Sequence, residues 1–191
     1  MIYYDGCSWT HGAESTKRFC DLVGKPYVNR ATGGSSNQRI VRHLQEEDMS
    51  QYDLAIIQMT FPSRTEYYDA KFPKSEKGWV KVGMQQAIRP YGELKRHQYW
   101  TKDEYNFWRY YYQNVYTDEL GHLLERTHYE FIKSFVKIPL ILTTINSNTK
   151  LSFDVHLDRL DLPKYDGYHP DAEGHAIIAE SILARMKSHI N

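Results

Sequence analysis

The stretch YDLAIIQMT, residues 52 to 60, constrains this chain more than any other. It is apolar without alternation and has the length of one strand, the pattern of a strand covered on both faces. IPLILTTI, residues 138 to 145, repeats the signal. Strands of this kind lie inside a parallel sheet with helices above and below. The rest of the chain supplies the partners. Met1 to Tyr4 reads as a first strand, residues 13 to 23 (AESTKRFCDLV) as a helix ended by Gly24, and KPYVNRATGG as a short strand running into a glycine turn. SSNQRIVRHLQEE follows, with Ser35 or Ser36 as N-cap and Ile40, Val41 and Leu44 at helical spacing. A last helix is expected from about Ala172 to His189, with Ile178, Ile182 and Met186 four apart on one face. Strand and helix alternate, so residues 1–191 read as one α/β domain with a mostly parallel sheet.

One region exceeds this minimal plan. Almost eighty residues separate Thr60 from Pro139. Residues 67–100 are irregular and carry Lys and Gly, and residues 102–137 are helical in pattern. Within the latter, Tyr105, Trp108, Tyr112 and Val115 keep 3-4-3 spacing, continued by Leu124, Phe131 and Phe135. The expectation is one crossover helix, or two, with an insertion over approximately 67–137 and the aromatic stripe packed on the sheet.

Composition narrows the function. Lys plus Arg and Asp plus Glu both number 24, so the formal net charge is zero. Proteins that live on phosphate contacts are usually basic, which argues against a nucleic-acid partner. No apolar run is long enough to span a bilayer, so no membrane role is expected. MIYYDGCSWT lacks the basic and apolar regions of an export signal, which makes the cytoplasm the expected compartment. Two cysteines, Cys7 and Cys20, make no disulfide framework. The 16 tyrosines fit half-buried packing better than a surface for flat ligands.

Two distant segments carry reactive groups. YYDGCSWTHG, residues 3 to 12, sets Cys7, Ser8 and His11 on the turn behind the first strand. It is either a polar turn or the presentation of a nucleophile. In YDGYHPDAEGHAIIAESIL, Asp166 and His169 stand three apart in a turn between Pro163 and Pro170. That spacing lets a carboxylate bond the imidazole Nδ1–H, fixing the tautomer and leaving Nε2 free to accept a proton. A serine hydroxyl needs such a base. Both segments should reach the C-terminal edge of the sheet, where open parallel sheets form their ligand crevice.

DGCSWTHG, NRATGGSSNQRI, DLAIIQMTFPSR and DGYHPDAEGHAIIAESI together resemble, in order and spacing, the blocks of SGNH (GDSL-type) hydrolases. The resemblance implies a flavodoxin-like three-layer α/β/α sandwich around a mostly parallel five-stranded sheet, with a helical insertion after strand 3. It makes Ser8 the nucleophile, Asp166 the orienting acid and His169 the base. The N–H groups of Ser8 and Gly34 would form the oxyanion hole. The blocks depart from the family pattern at two places. Gly6-Cys7-Ser8 replaces Gly-Asp-Ser, which makes Cys7 a rival nucleophile; Ser8 is preferred because the residue before it usually points into the scaffold, where cysteine is at home. Thr60 stands at the position of the family's oxyanion asparagine, so the third donor is Thr60 or Asn37. No G-x-S-x-G elbow is present.

The remaining site candidates are substrate contacts. Trp9 and His11 flank Ser8, and His11 reads equally as an ordinary turn histidine. Arg64, just past the third strand, either binds an anionic substrate or pairs with Glu66 or another carboxylate. Trp79, Trp100 and the tyrosines of the insertion are candidates for a lid or an acyl-group wall. No residue set has metal-ligand spacing, His169 and His175 included, and no cofactor is implied. The expected reaction is serine hydrolysis of a small-molecule or glycan ester. An acyltransferase on the same triad is one rival reading, and a non-catalytic binding or structural protein that kept the fold is the other. The sequence leaves the oligomeric state open.

Overall fold

The computed structural model describes residues 1–12, 15, 17–69, 79–91, 93, 100–164 and 166–190. Of the helix expected over residues 13–23, positions 13, 14 and 16 lie outside the described residues. β1 (Ile2–Asp5) lies between β2 (Tyr27–Asn29) and β3 (Leu54–Met59). β6 (Leu140–Thr144) follows β3, and a two-residue β7 (Val155–His156) ends the sheet. The order is β2-β1-β3-β6-β7 and every pairing is parallel. This is the expected sheet.

Alternation along each strand divides the apolar side chains between two cores. Ile2, Tyr4, Ile56 and Ile141 face one side. There they meet Phe19 and Cys20 of the short helix α2 (Phe19–Leu22), and Ile178, Ala179, Ile182 and Met186 of α7 (Ala172–Ile190). Tyr3, Ala55, Ile57, Met59 and Leu142 face the other side. Their partners are Ile40 and Leu44 of α3 (Asn37–Glu46), and Tyr129 and Ile132 of α6 (Asp118–Phe135). Each such side chain contributes about 1.5–3 kcal/mol by leaving water. Helices on both faces make the three layers. Ser36, of the two expected caps, accepts the Arg39 N–H at the start of α3.

The segment between β3 and β6 differs from its expectation. β4 (Arg64–Tyr68) and β5 (Trp79–Gly83) form an antiparallel hairpin. Beyond it come α4 (Met84–Ile88), α5 (Lys102–Tyr110) and a π-turn over Tyr111–Val115. Tyr105 and Tyr112 do not pack on the sheet. They bury themselves against Val80, Val82, Ala87 and Trp100 in a separate, third cluster, while Val115 is exposed. The crossover helix is α6; it buries Gly121, Glu125, Tyr129 and Ile132 rather than Leu124, Phe131 and Phe135, and joins the second core through Tyr129 and Ile132. A three-residue continuation of the aromatic spacing across the π-turn hid this change of face. No helix among the described residues is long and apolar enough to cross a membrane.

Candidate active site

The register of β1 on β3 sets Asp5 beside Ile57, so β1 ends two residues before β3 and both run out at the C-terminal edge of the sheet. Here the chain turns at Gly6 and enters α1 (Ser8–His11). A Cβ on Gly6 would come within 2.8 Å of the Gln58 Cβ, so only glycine allows this approach. Gln58 then holds the turn from both ends. Its Nε2 lies 3.1 Å from the buried Cys7 Sγ, and its Oε1 accepts from the Thr10 N–H at 3.2 Å and hydroxyl at 2.5 Å. Cys7 therefore points into the scaffold, as expected from its position, and Ser8 is left half-buried at the first helical residue. The N–H of such a residue has no acceptor within its own helix.

The turn before α7 supplies the partners. Asp166 Oδ1 accepts the N–H groups of Tyr168 at 2.8 Å and His169 at 2.6 Å, and Oδ2 lies 2.6 Å from His169 Nδ1. His169 Nε2 lies 3.1 Å from Ser8 Oγ. A neutral ring that donates from Nδ1 to Asp166 presents an acceptor Nε2 to the hydroxyl. Desolvation works against the Asp166 charge, but the His169 side chain and the two N–H donors outweigh it and hold the carboxyl well below its usual range. An Asp-His-Ser chain thus joins residues 161 positions apart.

Gly34 lies in the turn between β2 and α3 at φ +73°, a left-handed backbone that favours glycine. Thr60 and Asn37, expected as alternatives, are bonded to each other. Asn37 Oδ1 accepts the Thr60 N–H at 2.8 Å, and Asn37 Nδ2 donates to the Thr60 carbonyl at 3.0 Å. The Thr60 hydroxyl accepts from Arg64 at 2.8 Å. Of the two alternatives for Arg64, pairing with Glu66 does not occur: Arg42 takes Glu66, at 3.0 and 3.3 Å. His11 is exposed, and its Nδ1 lies 2.9 Å from the Ala31 carbonyl, tying α1 to the Gly34 turn. Trp9 packs at the edge of the first core with the Lys164 ammonium 5.7 Å from its ring centre. Trp79 and Trp100 are not beside Ser8: Trp79 stacks under Arg42 at 4.7 Å, and Trp100 is buried in the third cluster. His175 is a core residue whose Nδ1 accepts the Phe19 N–H at 3.4 Å. No group of three or more possible metal ligands gathers among the described residues.

Three residues of this edge escaped the sequence reading. Gln58 is the first, and a polar residue inside a doubly covered strand signals a buried partner. Asp5 and Arg39 are the others. Arg39 Nη1 donates to Asp5 at 3.2 Å and Ser35 Oγ at 3.3 Å, and its Nη2 donates to the Arg30 carbonyl at 2.8 Å. Both side chains are buried. The pair joins the end of β1 to the turn that carries Gly34. Asp5 closes an apolar strand, and a carboxylate there needs a buried cation somewhere in the chain.

The whole arrangement, a five-stranded parallel sheet with helices on both faces, is a three-layer α/β/α fold. No family model and no curated protein matches the chain. Solved structures do. A "putative acylhydrolase" from Bacteroides fragilis aligns over 98% of this chain and 86% of its own, with a TM-score of 0.50 and 15% identity. A GDSL-like lipase from Bacteroides thetaiotaomicron aligns over 98% of this chain and 88% of its own, with a TM-score of 0.51 and 14% identity. Likeness at this identity is likeness of fold, and function has to be argued from the site.

Proposed function

We propose that the protein is a serine hydrolase that cleaves carboxylic esters. The observation that carries this reading is the alignment of Ser8 Oγ, His169 and Asp166 at 3.1 and 2.6 Å on the C-terminal edge of the sheet. Ser8 Oγ attacks the ester carbonyl carbon while His169 Nε2 takes the hydroxyl proton. The tetrahedral oxyanion accepts hydrogen bonds from the N–H groups of Ser8 and Gly34, with Thr60 or Asn37 as the third donor. The intermediate collapses by breaking the acyl C–O bond, and His169 returns its proton to the leaving alkoxide. Water then attacks the acyl-enzyme, giving its proton to His169, and the carboxylic acid leaves as the proton returns to Ser8 Oγ. Asp166 keeps the ring oriented and stabilises the imidazolium through each transfer.

The test is a panel of esters of varied acyl length, run on wild type and Ser8→Ala, together with labelling by a fluorophosphonate. Turnover and a label on Ser8, both lost in Ser8→Ala, are expected. Absence of both in the wild type would refute the reading in favour of a binding protein. Product analysis with added alcohols separates transfer to water from transfer to an acceptor hydroxyl.

A further inference from the structure

A cavity of about 180 Å³ opens beside this edge, between the start of α3, the β3–β4 connection, the π-turn and α6. It has room for about six water-sized groups. One wall is apolar and phenolic, including Pro62, Tyr111, Tyr116 and Leu120, and among the described residues no carboxylate lines the cavity. Arg64 and Asn37 also line it, and both bond Thr60, the residue that follows β3 at the C-terminal edge of the sheet.

Arg64 is the unusual member. Its guanidinium donates to the Thr60 hydroxyl, a neutral acceptor, and lies 5.1 Å from the Phe61 ring centre. It has no carboxylate partner among the described residues, because Glu66 is already held by two bonds from Arg42. A guanidinium carries five N–H donors in a fork that suits carboxylates. The first turn of α3, through Asn37 and Gln38, adds the positive end of a helix to the same wall.

We infer that this cavity and Arg64 select ester substrates that carry a carboxylate a few atoms from the scissile bond. The inference rests on the ester hydrolase reading and adds the substrate class. A neutral ester leaves the fork facing a single hydroxyl. A carboxylate-bearing ester completes it in a pocket where no described lining residue is a competing acid.

The experiment compares matched esters on wild type and Arg64→Gln at low ionic strength. Methyl butyrate against monomethyl succinate places the charge on the acyl side. Propyl acetate against 3-acetoxypropanoate places it on the alcohol side. The wild type should favour the charged member of at least one pair in kcat/KM. Arg64→Gln should reduce that preference about 10- to 100-fold, the value of a hydrogen bond to a charged group. Because Arg64 also contacts Thr60, the ratio within a pair is the readout rather than either rate. Preference for the neutral member in both pairs, or a ratio that ignores Arg64→Gln, overturns the inference. Calorimetric binding of succinate to Ser8→Ala, with and without Arg64→Gln, separates this failure from failure of the hydrolase reading. Arg64-dependent binding without turnover would leave the anion site standing and remove the hydrolase. Arg64-dependent binding with an Arg64-independent ester ratio would make it a site for a free anion and overturn the substrate class.

Discussion

Ser8 and Cys7 are neighbours with opposite surroundings. The thiol is packed inside against Gln58, and the hydroxyl faces His169. Ser8→Ala should therefore abolish ester turnover without changing the melting temperature, while Cys7→Ala should retain the fluorophosphonate label and lose stability through a buried cavity. Labelling followed by peptide mapping reads the outcome. Asp166→Asn keeps the shape of the turn but offers the ring an amide, and turnover should fall about 10³–10⁴-fold. The depressed carboxyl also predicts a pH signature. Its folded value lies below the unfolded one, so its stabilisation is complete above about pH 4 and is lost as pH falls through the folded value. Denaturation of wild type and Asp166→Asn from pH 7 downward should show a stability gap that is constant until about pH 4 and then closes.

At the scale of elements, bonds between neighbouring segments shape the site. The clamp between Asn37 and Thr60 ties the first turn of α3 to the end of β3. Asn37→Ala strips a buried N–H of its acceptor and should cost about 1–3 kcal/mol of stability as well as turnover. Thr60→Val removes the hydroxyl and with it the acceptor of Arg64, so a loss of turnover on neutral esters that Arg64→Gln does not reproduce identifies Thr60 as the third oxyanion donor; normal turnover in the double variant Thr60→Val with Asn37→Ala leaves the backbone donors alone. A second bond joins α2 to α7 through His175, whose ring is held neutral because burial pulls its value down. The unfolded chain then binds the proton first, and stability conferred above about pH 6.5 declines as pH falls below it. In His175→Gln that part of the slope should vanish from a stability profile between pH 5 and 8.

Strands such as AIIQM were legible because apolar runs leave few alternatives, and Asp166 with His169 was legible because a local turn holds both. The hairpin was not. Its inward residues Val80 and Val82 alternate over only five positions, beside a segment whose composition reads as irregular. Nor was the Asp5–Arg39 pair, since nothing in local spacing links residues 34 apart.

Among the described residues the molecule has two cores on the sheet and a third cluster outside it. The third is held to the rest by polar contacts such as Lys81 to Thr32 at 3.0 Å and to the Gly33 carbonyl at 3.2 Å. Smaller apolar clusters open at lower free energy than the core they flank. Amide hydrogen exchange should therefore be faster in β4 and β5 than in β3 and β6, and equal rates would mean that the hairpin unfolds only with the sheet. Because Lys81 reaches the turn beside Gly34, opening of the hairpin would also loosen that turn, and if it holds the oxyanion as proposed, Lys81→Met should lower turnover more than it lowers stability.

The separation of 161 positions between Ser8 and His169 has a consequence for how the protein is made. A ribosome adding about 5–20 residues per second spends roughly 8–30 s between the two. Through that interval the serine is present without the histidine that the proposed mechanism makes its base. A nascent chain arrested before the Asp166 turn should take up no fluorophosphonate, so activity arrives only as the last helix docks, after the parallel strands have been synthesised.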